Sequence, residues 1–209
     1  SDWDHDNLAQ IYFQDEIPES NKFHKFFRIR DVDVIKGFFN KEQVGAEIKA
    51  LPEIQLHHIE KFTFKNNLIG FLKKFETAKI FIRERLYKYG LWRSKKLFNW
   101  LDDFNPDVII LLPCNYEFIY DISKEIAKKY NSKHFIYFTD DFLINKNTST
   151  RYKKKAREVI EFSDGCFAIS EAMQREYRSI FNKKINILIN PISFEKKIKL
   201  NYLLPTKKI

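Results

Sequence analysis

The chain has 209 residues, 44% hydrophobic and 16% aromatic, which is enough apolar material for the core of one large domain. No apolar run approaches the roughly 18 residues of a membrane-spanning helix, so the sequence offers no bilayer span. A net charge of +9 favours an anionic partner such as phosphate, nucleic acid or an acidic membrane surface.

The start, Ser1-Asp2-Trp3-Asp4, lacks the basic and apolar leader of a secretory signal, so a cytoplasmic location is expected. Asn7 to Phe13 predicts a short strand that ends at Gln14-Asp15-Glu16 and Pro18, and Phe26-Phe27-Arg28-Ile29 predicts a second. Asp31 to Ala50 predicts one or two helices, interrupted by Gly37 and Gly45. His57-His58 has no carboxylate or cysteine at ligand spacing and reads as a surface or packed pair. From Ile69 to Phe104 the pattern is helical. Leu72, Phe75, Ile82, Leu86 and Tyr89 form an apolar stripe, Gly90 breaks the run, and a second helix passes through Leu97, Trp100 and Leu101. Lys73, Lys74, Lys79, Arg83, Arg85 and Lys88 fill the remaining positions of the first helix, and Arg93, Lys95 and Lys96 follow. The expected result is a basic, aromatic-rich amphipathic segment that can pack its apolar side on a sheet or lie on an anionic membrane.

The next stretch dominates the chain. Val108-Ile109-Ile110-Leu111-Leu112 and Phe135-Ile136-Tyr137-Phe138 are continuous apolar runs, the signature of strands covered on both faces in a parallel sheet. Between them, Phe118, Ile119, Ile122, Ile126 and Ala127 recur with helical period. Arg151 to Phe162 predicts another helix and Cys166-Phe167-Ala168-Ile169 another strand. A further helix starts at Ser170, a good N-cap, and carries Ala172, Met173, Tyr177, Ile180 and Phe181. Ile185 to Ile189 then forms a strand stopped by Asn190-Pro191. From Pro106 to Pro191 the order is therefore β-α-β-α-β-α-β. This predicts a Rossmann-like, doubly wound, mostly parallel α/β sheet with helices on both faces. Residues 1–192 are expected to form that domain and 193–209 a lysine-rich linker.

No G-x-G-x-x-G or Walker sequence, G-x-S-x-G elbow, H-E-x-x-H or C-x-x-C occurs, so no cofactor, nucleophile, metalloprotease or redox motif is in evidence. Cys114 and Cys166 read as buried reduced thiols. Asp31-Val32-Asp33 is formally a D-x-D, a spacing that can hold a divalent ion on a diphosphate, and Asp2, Asp4, His5 and Asp6 form a second acidic cluster. Asn115 and the pair Asp140-Asp141 lie just past the carboxyl ends of predicted strands, where open α/β sheets bind ligands. There Asp140 or Asp141 is placed to accept from sugar hydroxyls or to act as a base.

The run Cys166-Phe167-Ala168-Ile169-Ser170-Glu171-Ala172-Met173, with Tyr177, Phe181 and Ile187-Leu188-Ile189-Asn190-Pro191-Ile192, resembles a known pattern. It is similar to the strand–Ser–x–Ala–Met–x3–Tyr and strand–Asn–Pro–Ile segments that close the N-terminal domain of GT-B glycosyltransferases of the glycosyltransferase-4 type. Pro106-Asp107-Val108-Ile109 and Tyr137-Phe138-Thr139-Asp140-Asp141 resemble two earlier strands of such domains, and Trp3 to Ile29 their early portion more loosely. The resemblance implies two Rossmann-like domains across a cleft, with the acceptor on the N-terminal one and the nucleotide-sugar donor on the other. By this resemblance Asn115, Asp140 and Asp141 would face the acceptor, and Ser170, Glu171, Asn190 and Pro191 would border the cleft or hinge. The implied acceptor is a sugar or a lipid-linked sugar at the inner membrane face, in surface polysaccharide or glycoconjugate synthesis.

Two features of that family do not occur within the 209 residues. These are its donor-domain signature, two glutamates separated by seven residues after a Gly-containing loop, and its usual first strand with a Gly-rich loop. The chain thus reads as an acceptor-side part that needs its donor domain for turnover. Two rivals stand beside this reading. One is a basic α/β module for nucleic acid or anionic membrane, although no RRM, KH or helix-turn-helix pattern supports nucleic acid. The other is a metal-dependent transferase built on Asp31 and Asp33.

Overall fold

The structure, a computed structural model, describes residues 5–15, 25–40, 44–48, 76–141 and 150–189. A 3-10 turn at His5–Asn7 leads into β1 (Ala9–Tyr12), followed by β2 (Lys25–Arg28), α1 (Asp31–Lys36) and β3 (Ala46–Ile48). Strands β1 and β2 pair in parallel, while β3 joins β2 antiparallel. The sequence pattern predicts helix through this last stretch. The strand forms because Gly45, at φ +79°, turns the chain back; a Cβ there would sit 2.4 Å from the Phe27 ring.

Next come α2 (Glu76–Lys88) and α3 (Lys95–Phe104), separated by Gly90 at φ +72° as the sequence suggests. Then follow β4 (Val108–Leu111), α4 (Glu117–Tyr130), β5 (Lys133–Phe138), α5 (Thr150–Phe162), β6 (Gly165–Ala168), α6 (Glu171–Phe181) and β7 (Ile185–Ile187). The order β4-β5-β6-β7 is all parallel, so the chain is a Rossmann-like α/β protein with helices flanking a parallel sheet. Helices α3, α4 and α6 each end on an asparagine in the left-handed region, Asn105, Asn131 and Asn182. After glycine, asparagine fits that region best, and each hands its N–H to a carbonyl one turn back.

Among the described residues two clusters form the core. One holds Leu111, Ile136, Phe138, Cys166, Ala168 and Ile185 of β4–β7 against Tyr120 of α4, Tyr152, Ala156, Val159 and Ile160 of α5, and Tyr177 of α6. All three helices therefore cover the same face, which is what right-handed crossovers through consecutive neighbouring strands require. The second gathers Phe27, Ile29, Val34, Tyr87, Trp92, Leu97 and Leu101 around Phe118, Ile122 and Ile126 of α4, with Ile11, Phe13 and Ile109 packed on it. It joins the two sheets through a shared floor. On the opposite side of β4, Val108 and Ile110 remain 48% and 60% exposed. The continuous apolar run predicts cover on both faces, but the described helices after β4 supply it on one.

Inside β5, His134 is fully buried. Its Nε2 lies 3.2 Å from Ser123 Oγ, its ring tilts against Phe162 at 5.3 Å, and its Nδ1 has no hydrogen-bond partner among the described residues. Burial pushes its pKa down to about 4 from 6.5, against the pull of Asp164. The folded protein thus excludes a proton that the unfolded chain accepts, so stability is full above pH 6.5 and falls as pH drops from 6.5 to 4. The loss at the bottom of that window is about 3 kcal/mol. In urea unfolding across this range, His134→Leu should lose most of the acid slope; a slope equal to that of the parent would exclude His134 as its source.

Candidate functional site

The parallel strands β4, β5 and β6 release the chain at one edge. Asn115, Asp140-Asp141 and Ser170-Glu171 therefore follow three successive strands along the carboxyl end of the sheet, Glu171 as the first residue of α6. Asn115, Asp140, Asp141 and Glu171 are exposed. Ser170 is half-buried and occupied: its Oγ accepts from the Met173 N–H at 3.2 Å and caps α6. Glu171 pairs loosely with Arg175 at 3.5 Å, one turn on. Asn190, Pro191, Lys73 and Lys74 lie outside the described residues, as do Asp2, Asp4, His57, His58 and residues 193–209; the side chain of Lys79 does too.

The start of α4 shows a device invisible in local sequence. Its N-cap, Tyr116, makes no side-chain cap bond. Glu84 of α2 takes that role from 33 residues away. One carboxylate oxygen accepts from Glu117 N–H at 2.6 Å and the other from Phe118 N–H at 3.0 Å. Burial pushes Glu84 up to about 7, with the neighbouring Glu117 adding to the rise; the two N–H donors and Arg151 oppose it. Arg151 Nε is bonded to Glu117 Oε2 at 2.8 Å. Glu84, Glu117, Arg151, Lys154 and Lys155 line a cleft of about 570 Å³ with Trp92 and Lys88. An acid that titrates near neutrality beside a mixed-charge cleft between α2, α4 and α5 can hold or release a proton there.

The preceding residue corrects an expectation. Arg83 is not on the exposed basic face; its side chain is only 13% exposed. Its guanidinium bonds Asp31 Oδ1 at 2.8 Å and the Phe13 carbonyl at 3.0 Å, and lies 4.2 Å over the Tyr116 ring. Tyr87 donates to the Ile29 carbonyl at 3.1 Å and stacks on Phe118 at 3.9 Å. The buried stripe of α2 thus runs through Arg83 and Tyr87, while Ile82 and Tyr89 of the expected apolar stripe face solvent. Arg85 and Lys88 are exposed, as expected.

The D-x-D carboxylates are likewise committed elsewhere. Asp31 serves Arg83 and Tyr87, while Asp33 serves the Arg30 guanidinium and N–H in a reciprocal helix cap. They do not converge on a shared point. Burial pushes the Cys114 and Cys166 thiols up, and both are free, so they act as small apolar groups. Among the described residues no helix is long and apolar enough to cross a membrane.

Compared with protein-family models, curated proteins and solved structures, the chain matches none.

Three substitutions test this geometry. Because Glu84 keeps its proton to higher pH when folded, its contribution to stability falls as pH rises from 4.5 to 7 and levels off above. Glu84→Gln retains an acceptor without the charge, so its stability relative to the parent should climb across that window; two parallel pH curves would refute the burial-driven shift. Arg83→Met should destabilise by about 2 kcal/mol, because it removes the bonds of a largely buried guanidinium to Asp31 and to the Phe13 carbonyl, whereas Arg85→Met should cost under about 0.5 kcal/mol. Chemical denaturation of the pair decides it, and equal effects would contradict the separation of the two arginines.

Proposed function

We propose that the chain is the acceptor-side domain of a GT-B glycosyltransferase that moves a sugar from a nucleotide-sugar donor to an acceptor hydroxyl. The observation that carries the reading is the alignment of Asn115, Asp140, Asp141 and Glu171 along the carboxyl end of the parallel sheet, exposed just past adjacent strands. Acceptor hydroxyls can donate to these carboxylates, and Asp140 or Asp141 takes the proton as the acceptor oxygen bonds to the anomeric carbon. The bond to the nucleotide diphosphate breaks in the same event, and the donor domain holds the departing phosphates.

The surface of α2 supports work at a membrane. Phe81 and Tyr89 are each 61% exposed, Phe38 packs edge-on against Tyr89 at 6.5 Å, and Arg85 and Lys88 flank them. Aromatic rings among cations suit the headgroup layer of an anionic bilayer, where each nearby cation adds about 1 kcal/mol. A lipid-linked acceptor in glycoconjugate synthesis at the inner membrane face fits this pairing of surface and cleft.

The test uses the chain joined to its donor domain, with radiolabelled nucleotide sugars and membrane extracts as acceptors. Asp140→Asn or Asp141→Asn should lower kcat by about 100-fold or more with little change in donor binding. Transfer unaffected by both changes would overturn the acceptor-site assignment. Anionic vesicles should co-sediment the chain at low salt and lose it on Tyr89→Ser with Arg85→Glu; equal sedimentation would remove the membrane part.

A further inference from the structure

The outer side of α4 is the floor of the cleft between α2 and α5, and the two walls come into register with it turn by turn. At the first residue of α4, Glu84 of α2 accepts from the Glu117 N–H and Arg151 of α5 donates to the Glu117 carboxylate. Four residues on, Asp121 pairs with Lys155 of α5. After four more, Glu125 accepts from both Nε and a terminal nitrogen of Arg93, which lies between α2 and α3. Four residues of helix rise about 6 Å, so both walls run beside α4 in its own direction over about 12 Å. Lys88 stands one turn after Glu84, and Lys154 precedes Lys155; both line the cleft and come level with Asp121.

That middle level is out of balance. It holds Lys88, Lys154 and Lys155 against one carboxylate, which Lys155 already occupies. Lys88 and Lys154 are exposed, and among the described residues neither has an acid or a hydrogen-bond partner. Lys124 and Lys128 lean instead over the Phe162 ring at 5.3 and 5.7 Å. Both ends of the cleft are closed by matched pairs, Glu117 with Arg151 and Glu125 with Arg93. An excess of positive charge confined between neutral ends suits a compact anion rather than a polymer. The volume of about 570 Å³ is that of a small-molecule site. Tyr87, Trp92 and Phe118 lie buried beneath it, so a ligand there meets charge rather than apolar surface.

We infer that this cleft binds a phosphoryl group, held between the ammonium groups of Lys88 and Lys154, with Arg151 turning in from Glu117 to complete its cage. The three phosphoryl oxygens accept charge-assisted bonds from all three cations, and Arg151, 68% exposed, is free to turn. None of Asn115, Asp140, Asp141 or Glu171 lines the cleft, so the site is independent of sugar transfer. The ligand is linked to a proton. Glu84 sits about 6 Å along the helix, one turn from Lys88. It faces Glu117 and the Phe118 N–H of α4, Arg151 and Tyr152 of α5, Cys114 of the loop before α4, and Lys88 and Arg83 of its own helix. Burial pushes Cys114 and Tyr152 up, so both keep their protons at neutrality. A bound anion disfavours the Glu84 anion, and by drawing Arg151 away it removes a cation that opposes the rise. Binding therefore takes up a proton and is tighter below pH 7 than above it.

The test is calorimetric titration of the 209-residue chain with inorganic pyrophosphate and with sulfate, which keeps both of its charges across neutrality. Each should bind at one site, and Lys88→Ala with Lys154→Ala should weaken both at least ~10-fold. Lys96→Ala with Lys184→Ala, exposed cations outside the cleft, removes the same net charge and should change affinity less than ~2-fold. Carbon NMR of the Glu84 carboxyl gives a second readout. Sulfate should raise its titration midpoint in the parent and leave it in place in the Lys88 and Lys154 variant. Phosphatidic-acid vesicles separate the sources: their displacement of sulfate assigns the phosphoryl group to a lipid headgroup, and displacement by pyrophosphate alone assigns it to a solute. Failure of both probes to bind, equal weakening by the two pairs of substitutions, or a Glu84 midpoint that sulfate leaves still or lowers would overturn the inference.

Discussion

Two adjacent side chains on one helix hold the described structure together. Arg83 faces the first sheet, where it joins the exit of β1 to the start of α1 through the Phe13 carbonyl and Asp31. Glu84 faces the second, where it closes the N-terminus of α4. Residues one apart on a helix diverge by about 100°, so consecutive positions reach different neighbours. A charged pair at that spacing can span a junction that no single side chain could. The rings of Tyr87, Phe118 and Phe13 fill the volume between, with centroids 3.9 to 5.8 Å apart. They exclude water from the tie and so raise the penalty for breaking it.

The parallel half of the fold was legible because its signals are local and repeated. Apolar runs, helical periods and the cap at Ser170 agree from Val108 to Ile187. Elsewhere the decisive interactions were tertiary. On α2, hydrophobicity alone picks Ile82 and Tyr89 as the inner stripe. Arg83 is buried only because Asp31, 52 residues away, meets its charge. Strand β3 was hidden behind a short stretch whose one clue was Gly45. The signal for Glu84 was present as an omission: α4 begins after Tyr116, which cannot cap it, and so needs an acceptor from elsewhere.

Of the candidate site, the sequence marked the strand-end positions Asn115, Asp140 and Asp141, since position relative to an apolar run is a one-dimensional property. It did not mark the cleft between α2, α4 and α5. Glu84, Arg151 and Glu117 come from three elements and meet only when α2, α4 and α5 pack. The D-x-D illustrates the converse. Its spacing is compatible with a metal, but α1 directs Asp31 toward α2 and Asp33 back to its own N-cap. Spacing in sequence is informative about a site only when the element that carries it directs both groups to one point.

Glu84 also links the scaffold to the cleft. As a neutral acid it bonds the α4 amides without a buried charge; as an anion it bonds them more strongly but carries the cost of burial. A value near 7 means that these two tendencies almost balance at neutral pH. A cation brought into the cleft, or an anion that draws Arg151 from Glu117, would shift that balance in opposite directions. The same carboxyl would then report cleft occupancy to the tie between α2 and α4. A carboxylate is itself a good cap, because its charge suits the N-terminus of α4, so the bonds to the Glu117 and Phe118 N–H groups account for an acid at this position.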